Sequence, residues 1–353
     1  MDIHIKYMKR CIELASEVIG NTYPNPMVGC VIVHNNKIIG EGSTQEHGCN
    51  HAEVEAINSV VDKDLLKEST LYVNLEPCNH YGKTPPCTKL ILEKGIKNVI
   101  IGSKDPNRNV LGGGINTLIS NGCKVKHGIM KEECDLLNKR FFTFQNQKRP
   151  YIILKWAESK DGYISPKKSD RNKGEIFWIS NEESKKMSHY FRSQEHSILV
   201  GVQTIIDDNP ELTTRLVDGN SPVRIVLDPN NRIPSNSKVL SNESQTIIFS
   251  STKNQELNID NEVINQFDLN SIMESLFKRG IQSMIVEGGA YTIQKFIDSD
   301  KWDCIRVFKS EKNLYDGVVA PKYEIDKLEY RLIGDNKFYE IFKKNHRVAS
   351  TTW

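Results

Sequence analysis

One stretch of this chain, residues 51–87, holds a histidine, two cysteines and a carboxylate in an arrangement suited to hydrolysis at a metal. His51-Ala52-Glu53 supplies an imidazole and, two positions on, a carboxyl group. Pro77-Cys78 supplies a thiol, and Cys87, nine positions later, supplies another. Imidazole nitrogen and thiolate sulfur are zinc donors, and three protein ligands leave the fourth tetrahedral position open for water. Water on such a zinc loses a proton near neutral pH and becomes a nucleophile. Glu53 is too close in sequence to be a comfortable fellow ligand of His51, and is well placed to shuttle protons. A purely structural zinc would need a fourth ligand, for which His47, Cys49 and His80 are the nearby candidates. His47 and His80 could equally line the site, whereas His4, His34, His127, His189, His196 and His346 carry no partner pattern and read as solvated or structural.

Local pattern supplies elements to hold these groups. Ile5, Met8, Ile12, Ala15 and Ile19 recur at helical spacing, and Gly20-Asn21 supplies a stop, so an N-terminal amphipathic helix is expected over 4–19. Two β-rich runs, 28–33 and 37–42, flank Asn35-Asn36 and read as a hairpin. Val54, Ile57 and Val61 share one helical face, which puts His51 and Glu53 in a first turn, where the helix dipole favours developing negative charge. Thr70-Leu71-Tyr72-Val73-Asn74-Leu75 is a strand that delivers Cys78, and Cys87 opens the next helix. The alternation predicts a three-layer α/β domain with its metal ligands at strand-to-helix boundaries.

The bulk numbers bound the rest. A chain of 353 residues exceeds one ordinary domain, so two are expected. A formal charge of +2 and the lack of a basic tract interleaved with aromatics argue against nucleic-acid binding. No stretch approaches the roughly 20 apolar residues of a spanning helix, and no charged, apolar leader opens the chain, so a cytoplasmic protein without membrane contact is expected. Six of the eight cysteines then read as free thiols in core or surface positions, Cys78 and Cys87 being the exceptions.

The general zinc-deaminase pattern runs H-x-E followed by P-C-x-x-C, and the wider gap here is informative. Asn25-Pro26-Met27-Val28-Gly29, His51-Ala52-Glu53 and Pro77-Cys78-Asn79-His80-Tyr81-Gly82-Lys83-Thr84-Pro85-Pro86-Cys87 together resemble the deaminase half of the bifunctional riboflavin-biosynthesis deaminase/reductase family. Cytidine and tRNA-adenosine deaminases are similar only in the shorter Cys-x-x-Cys form. The resemblance implies a pyrimidine ribosyl phosphate as small-molecule substrate, Asn25 holding the ring near the metal, and His80, Lys83 and Thr84 facing the substrate.

Past the polar linker Gln145-Asn146-Gln147-Lys148-Arg149-Pro150, the run Tyr151-Ile152-Ile153-Leu154-Lys155-Trp156-Ala157 reads as a buried central strand. A helix around 184–191, capped by Ser180 or Asn181, and strands at 197–201, 223–228, 246–249 and 283–286 follow; the Asn- and Glu-rich stretch 250–266 reads as surface loop. Gly288-Gly289 between a strand and a helix could present backbone N–H groups to a phosphate, although it is not the three-glycine dinucleotide fingerprint. In combination, Lys155 to Gly162, Trp178-Ile179, Val200-Gly201 with Thr204, the run Asp208 to Arg215 and Glu287-Gly288-Gly289 resemble the reductase half of the same family, whose fold is similar to dihydrofolate reductase and whose cofactor is NADPH. That resemblance assigns Ala157, Trp178, Thr204, Asp208 and Gly289 to the cofactor, and Arg192, Leu212, Arg215 and Glu287 to the substrate. Lys160 and Ile176 depart from the family's usual residues, as does the chain from Ile305 onward, which puts reductase efficiency in question.

The expectation is therefore an α/β protein of two domains: 1–145, a three-layer cytidine-deaminase-like zinc deaminase, and 150–353, a dihydrofolate-reductase-like domain using NADPH. A homo-oligomer is expected. The rivals are a deaminase with a weak or inactive second domain and a tRNA deaminase.

Overall fold

The computed structural model describes residues 2–82, 85–107, 113–170, 174, 177–254 and 259–343. The chain divides into two compact units, 1–148 and 149–347, and each is described by itself.

The first unit runs α1 (Ile3–Ser16), β1 (Gly29–His34), β2 (Lys37–Ser43), α2 (Ala52–Ser59), β3 (Thr70–Leu75), α3 (Cys87–Glu93), β4 (Asn98–Ser103), α4 (Gly113–Ser120), β5 (Lys124–His127), α5 (Lys131–Leu137) and α6 (Lys139–Gln147). Its sheet has the order β2-β1-β3-β4-β5; β1 is antiparallel to β2 and β3, and β3, β4 and β5 are mutually parallel. Side chains alternate across a strand, and β1 uses both faces. Cys30 and Ile32 join the core with Ala56 and Ile57 of α2, Ile91 of α3 and Leu118 of α4. Val31 and Val33 face Tyr7, Met8 and Cys11 of α1 and Cys134 of α5. The result is the three-layer, cytidine-deaminase-like sandwich expected. Helix α1 ends three residues short of the expected end, at Ser16, where the chain turns toward Gly20 at φ +83°. Close contact fixes α2 on the sheet: a Cβ on Gly42 would lie 2.5 Å from the Ala56 nitrogen, so only glycine lets this helix, with His51 at its start, sit so near β2.

The second unit contains β6 (Tyr151–Glu158), β7 (Tyr163–Ser165), α7 (Glu182–Gln194), β8 (Ser197–Gly201), α8 (Val202–Asp208), β9 (Val223–Leu227), β10 (Thr246–Ser250), β11 (Asp260–Val263), α9 (Leu269–Lys278), β12 (Ser283–Val286), α10 (Ala290–Asp298), β13 (Cys304–Lys309), β14 (Val318–Val319), β15 (Arg331–Ile333) and β16 (Asn336–Phe342). Its main sheet has the order β11-β10-β9-β8-β12-β6-β13-β16-β15; neighbours are parallel from β11 to β13 and antiparallel beyond. A core packs on each face, one around Leu154 and Trp156, the other around Ile153 and Val200. This is the reductase-type α/β fold expected, with β6 central.

The structure corrects the reading of 250–266 as loop, because β11 lies within it and pairs with β10. The strand escapes a pattern search because it is a polar edge strand, exposed or half-buried throughout. Its carboxylates serve an ion-pair cluster in which Arg279 bonds Asp260 at 2.6 Å and also Glu262. Asn181 is the cap of α7, its side chain accepting from the Ser184 N–H at 2.8 Å. Among the described residues no helix is long and apolar enough to cross a membrane.

Candidate active sites

His51 stands at the N-cap of α2, Cys78 follows the end of β3 by three residues, and Cys87 is the first residue of α3. Strand β3 lies inside the sheet and sends its C-terminal end between the two helix starts. His51 Nδ1 lies 3.5 Å from Cys78 Sγ and 3.3 Å from Cys87 Sγ, and the Cys87 N–H donates to Cys78 Sγ at 3.3 Å. A zinc ion about 2.0–2.1 Å from nitrogen and about 2.3 Å from sulfur separates tetrahedral ligands by roughly 3.5 Å. Spacing and donor set therefore both fit zinc. Among the described residues, this is the one group of three or more metal-capable side chains that converges within 4.8 Å, and it includes none of His47, Cys49 and His80. A four-ligand structural site is thereby set aside.

The charge state matches ligation. Hydrogen bonding from Cys87, and then from His51, draws the Cys78 thiol down to about 4. The hydrogen bond to Cys78 and burial push Cys87 the other way, upward. A dication would allow both to ionise. Glu53, 3% exposed, is pushed up to about 7 by burial first and the Cys78 charge second, against the pull of His51. It sits in the first turn of α2, interacting with Cys87, where a proton carrier for the site belongs.

Around this centre, Glu76 ties the end of β3 to the loop after β4 and to α4, accepting from the N–H groups of Asp105 at 3.2 Å and Ile115 at 3.0 Å. The buried Asp105 carboxyl is pushed up to about 6 by its burial, and His80 is near enough to oppose that shift. His80 is exposed. Lys83 and Thr84 lie outside the described residues. The loop after Cys78 closes on itself through Thr88, whose N–H donates to the Cys78 carbonyl at 3.2 Å and whose hydroxyl donates to Asn79 at 2.8 Å. Asn25 lies in the turn before β1. Because β1 runs antiparallel to β3 with Cys30 opposite Val73, that turn falls at the Cys78 end of the sheet.

The second site gathers at the C-terminal ends of three adjacent parallel strands, β8, β12 and β6, a usual ligand position in open α/β sheets. Arg192 of α7 grips Glu287 with two bonds, Nε to Oε1 at 3.0 Å and Nη2 to Oε2 at 2.8 Å, and Lys155 of β6 approaches the same carboxylate at 3.6 Å. Burial alone would push Glu287 up; the charges of Arg192 and Lys155 outweigh it and hold the carboxyl at about 2. Arg192 also donates to the Thr213 carbonyl at 3.3 Å, and His189 Nδ1 accepts the Arg215 N–H at 3.0 Å, so α7 fixes the 209–215 loop in two places. Arg215 pairs with Glu211 at 2.6 Å. Leu212 has φ +58° and its side chain is buried in the core.

Thr204 and the Gly288-Gly289 turn come together. A Cβ on Gly288 would lie 2.5 Å from Val200 and 3.0 Å from Thr204 Oγ1, so only glycine lets this turn pack so closely on β8 and α8. Gly289, at φ +65°, is the N-cap of α10 and makes no side-chain bond, so the first N–H groups of that helix lack an intrahelical partner. A glycine turn that opens a helix with unpaired N–H groups has the chemistry to take a dinucleotide phosphate. Ala157 is half-buried on β6, Asp208 ends α8, and Trp178 is 42% exposed under the Lys185 ammonium. Ile176 lies outside the described residues. Lys160, one reason to question the reductase, points into solvent and pairs with Glu311 at 3.3 Å, which in turn pairs with Lys337 at 3.2 Å. Its departure from the family pattern has its own surface partner.

Sequence reasoning gave no site role to Lys155, His189 or Thr213. A lone lysine in an otherwise apolar strand was a usable signal for the first, since unpaired buried lysine is rare. The other two act through main-chain contacts that no local pattern announces.

Known proteins resemble both units. Residues 1–103 match the family model described as cytidine and deoxycytidylate deaminase zinc-binding region, and residues 150–311 match that of the RibD C-terminal domain. A riboflavin biosynthesis protein RibD from Aquifex aeolicus is 38% identical over 94% of this chain and 93% of its own length, and one from Escherichia coli is 34% identical over 80% and 81%. A crystal structure from Thermotoga maritima, described as a diaminohydroxyphosphoribosylaminopyrimidine deaminase/5-amino-6-(5-phosphoribosylamino)uracil reductase, superposes with TM-score 0.86 at 34% identity, covering 96% of this chain and 98% of that one. The RibD of Acinetobacter baumannii superposes at 0.87 with 28% identity.

Proposed function

The chain belongs to the RibD family of bifunctional riboflavin biosynthesis proteins, and from that premise we propose which of its residues perform each half of the work. It is an enzyme with a zinc-dependent deaminase and an NADPH-dependent reductase. The observation that carries the first assignment is the convergence of His51, Cys78 and Cys87 beside a buried Glu53. The substrate we assign is 2,5-diamino-6-ribosylamino-pyrimidinone 5′-phosphate, the class of compound acted on by the Thermotoga relative.

His51, Cys78 and Cys87 would hold the zinc, whose contribution is an activated water. Glu53 would take one proton from the water and give it to the ring nitrogen, and then carry the water's second proton to the amine that departs as ammonia. Asn25 holds the ring, and His80, Lys83 and Thr84 face the substrate. We place the deaminase in 1–145 and the reductase in 150–353. In the latter, Ala157, Trp178, Thr204, Asp208 and the Gly289 turn hold NADPH, which supplies the hydride for reduction of the ribosyl group to ribityl. Arg192, Leu212, Arg215 and Glu287 orient the substrate, Arg215 being suited to a phosphate by its forked donors and Arg192 acting through the Glu287 carboxylate it holds. A cytoplasmic homo-oligomer completes the reading.

The test supplies the pyrimidine substrate with and without NADPH while following ammonia and the nicotinamide absorbance. Ammonia is expected in both arms, and nicotinamide oxidation only after ammonia has appeared; oxidation without ammonia release would refute the order. Cys87→Ser is expected to reduce bound zinc to less than about a tenth of the wild-type content, since a hydroxyl is a poor substitute for thiolate. Metal analysis of the purified variant checks this, and full zinc occupancy would remove Cys87 from the ligand set.

A further inference from the structure

The segment that carries Asn25 is held to an unusual degree by side chains rather than by strand or helix. The Asn25 N–H donates to the Thr22 carbonyl at 2.8 Å, and its carbonyl accepts from the Thr22 hydroxyl at 3.0 Å. Pro26 has no N–H to place. The Met27 N–H donates to Asn138 Oδ1 at 2.8 Å, and the Met27 carbonyl accepts from both Asn138 Nδ2 at 2.8 Å and Asn74 Nδ2 at 3.1 Å. The Val28 N–H reaches the Thr44 hydroxyl at 3.1 Å, and the Gly29 N–H reaches Asn74 Oδ1 at 2.8 Å. Every main-chain donor from 25 to 29 is thus satisfied, three of them by buried side chains.

Asn138 is placed where an asparagine would ordinarily do something else. It is the C-cap of α5 and the N-cap of α6, yet its side chain makes no capping bond. Asparagine is favoured at an N-cap for that bond. Here its amide, 2% exposed, instead makes both of its bonds to Met27, 111 residues earlier in the chain. An amide that gives one bond and takes one from the same residue mimics a paired strand and fixes both position and orientation of the backbone. The half-buried Asn25 side chain, two residues away, has no hydrogen-bond partner among the described residues. A polar group left open on a fully determined backbone is how a ligand contact is pre-organised.

We propose that Asn138 is a positioning residue for deamination, acting with Asn74 through the main chain of Met27 to hold Asn25 against the substrate ring. This rests on the reading of Asn25 as the ring contact. Loss of the clamp lets the ring drift from the metal, and displacement near 1 Å at a reacting centre costs up to about a hundredfold in rate.

A double-mutant cycle on the full-length, zinc-loaded enzyme tests it, with deamination normalised to zinc content and reduction of the deaminated substrate as an internal control. Asn138→Asp keeps size and acceptor but removes the donor to Met27. It is expected to lower deaminase kcat/KM about tenfold and leave reduction unchanged, yet to lower kcat/KM less than about twofold in an Asn25→Ala background, because residues acting through one contact are non-additive. Equal losses in both backgrounds, or no loss in the first, overturn the proposal. Asn25→Ala without effect on deamination would overturn the reading of Asn25 itself, and the proposal with it. Should Asn138→Asp fail to keep zinc, Asn74→Asp, which removes the second donor to the same carbonyl, takes its place in the cycle. Loss of zinc in both variants would also overturn the proposal, since the asparagines would then be supporting the unit rather than the segment.

Discussion

Glu53→Gln is expected to lower ammonia release by about 10³-fold, in the range that a positioned acid–base group contributes, while zinc content and reduction of the deaminated substrate stay at wild-type levels. Glutamine has the same shape and can still hydrogen-bond, but it cannot accept the water's proton or deliver one to the ring. A loss of that size corresponds to about 4 kcal/mol of transition-state stabilisation. The buried position of Glu53 matters, because a carboxylate at 3% exposure has no bulk water to exchange protons with directly and its protons must pass between water, ring and leaving group. Zinc should remain because His51, Cys78 and Cys87 are untouched, and reduction should remain because Glu53 belongs to the other compact unit. Deamination at the wild-type rate would take Glu53 out of its role.

The two sites were not equally legible in the sequence, for physical reasons. A metal centre demands particular atoms, so His51, Cys78 and Cys87 stood out by type, and the hydrophobic periods around them placed two of the three at helix starts. The strand β6 announced itself because a strand buried on both faces must be apolar. Lys155 interrupted that run, a visible anomaly, but its partners Arg192 and Glu287 come from α7 and the end of β12 and could be joined to it only by the folded sheet. The edge strand β11 was hidden because solvent on one side lets polar residues form it. The clamp on Met27 was hidden more deeply: Asn138 and Asn74 are common residues, and nothing local distinguishes an asparagine that caps a helix from one that holds a backbone far away. Lys160 shows the converse: its departure from the family's pattern is visible in the sequence, whereas its ion pair with Glu311, itself paired with Lys337, is visible only in the folded unit.

The buried charges of the second site carry the other large prediction, for Glu287→Gln. At neutral pH the wild type holds one carboxylate against Arg192 and Lys155, all three nearly out of solvent. Removing the single negative charge leaves two cations facing a neutral amide, and breaking a buried pair in this way typically costs about 3–5 kcal/mol. Lys155 can escape by releasing its proton, since burial and then the Arg192 charge already act to depress it, but the Arg192 guanidinium cannot. Reduction should therefore fall by about 10²-fold or more, with deamination unchanged. The pH dependence identifies the cause. The Glu287 carboxyl is held at about 2, below its ordinary 4.5, so its stabilisation is fully present above 4.5 and is lost as pH falls from there through 2. A shift of that size corresponds to about 3 kcal/mol. Three of the four tryptophans, Trp156, Trp178 and Trp302, lie in this unit, so tryptophan fluorescence mainly reports its unfolding. The stability gap between wild type and Glu287→Gln should be widest near neutrality and should close as the acid limb is descended. A gap that stays constant with pH would mean that the variant is weakened by packing, and that the carboxylate's charge is not what holds Arg192 and Lys155 in place.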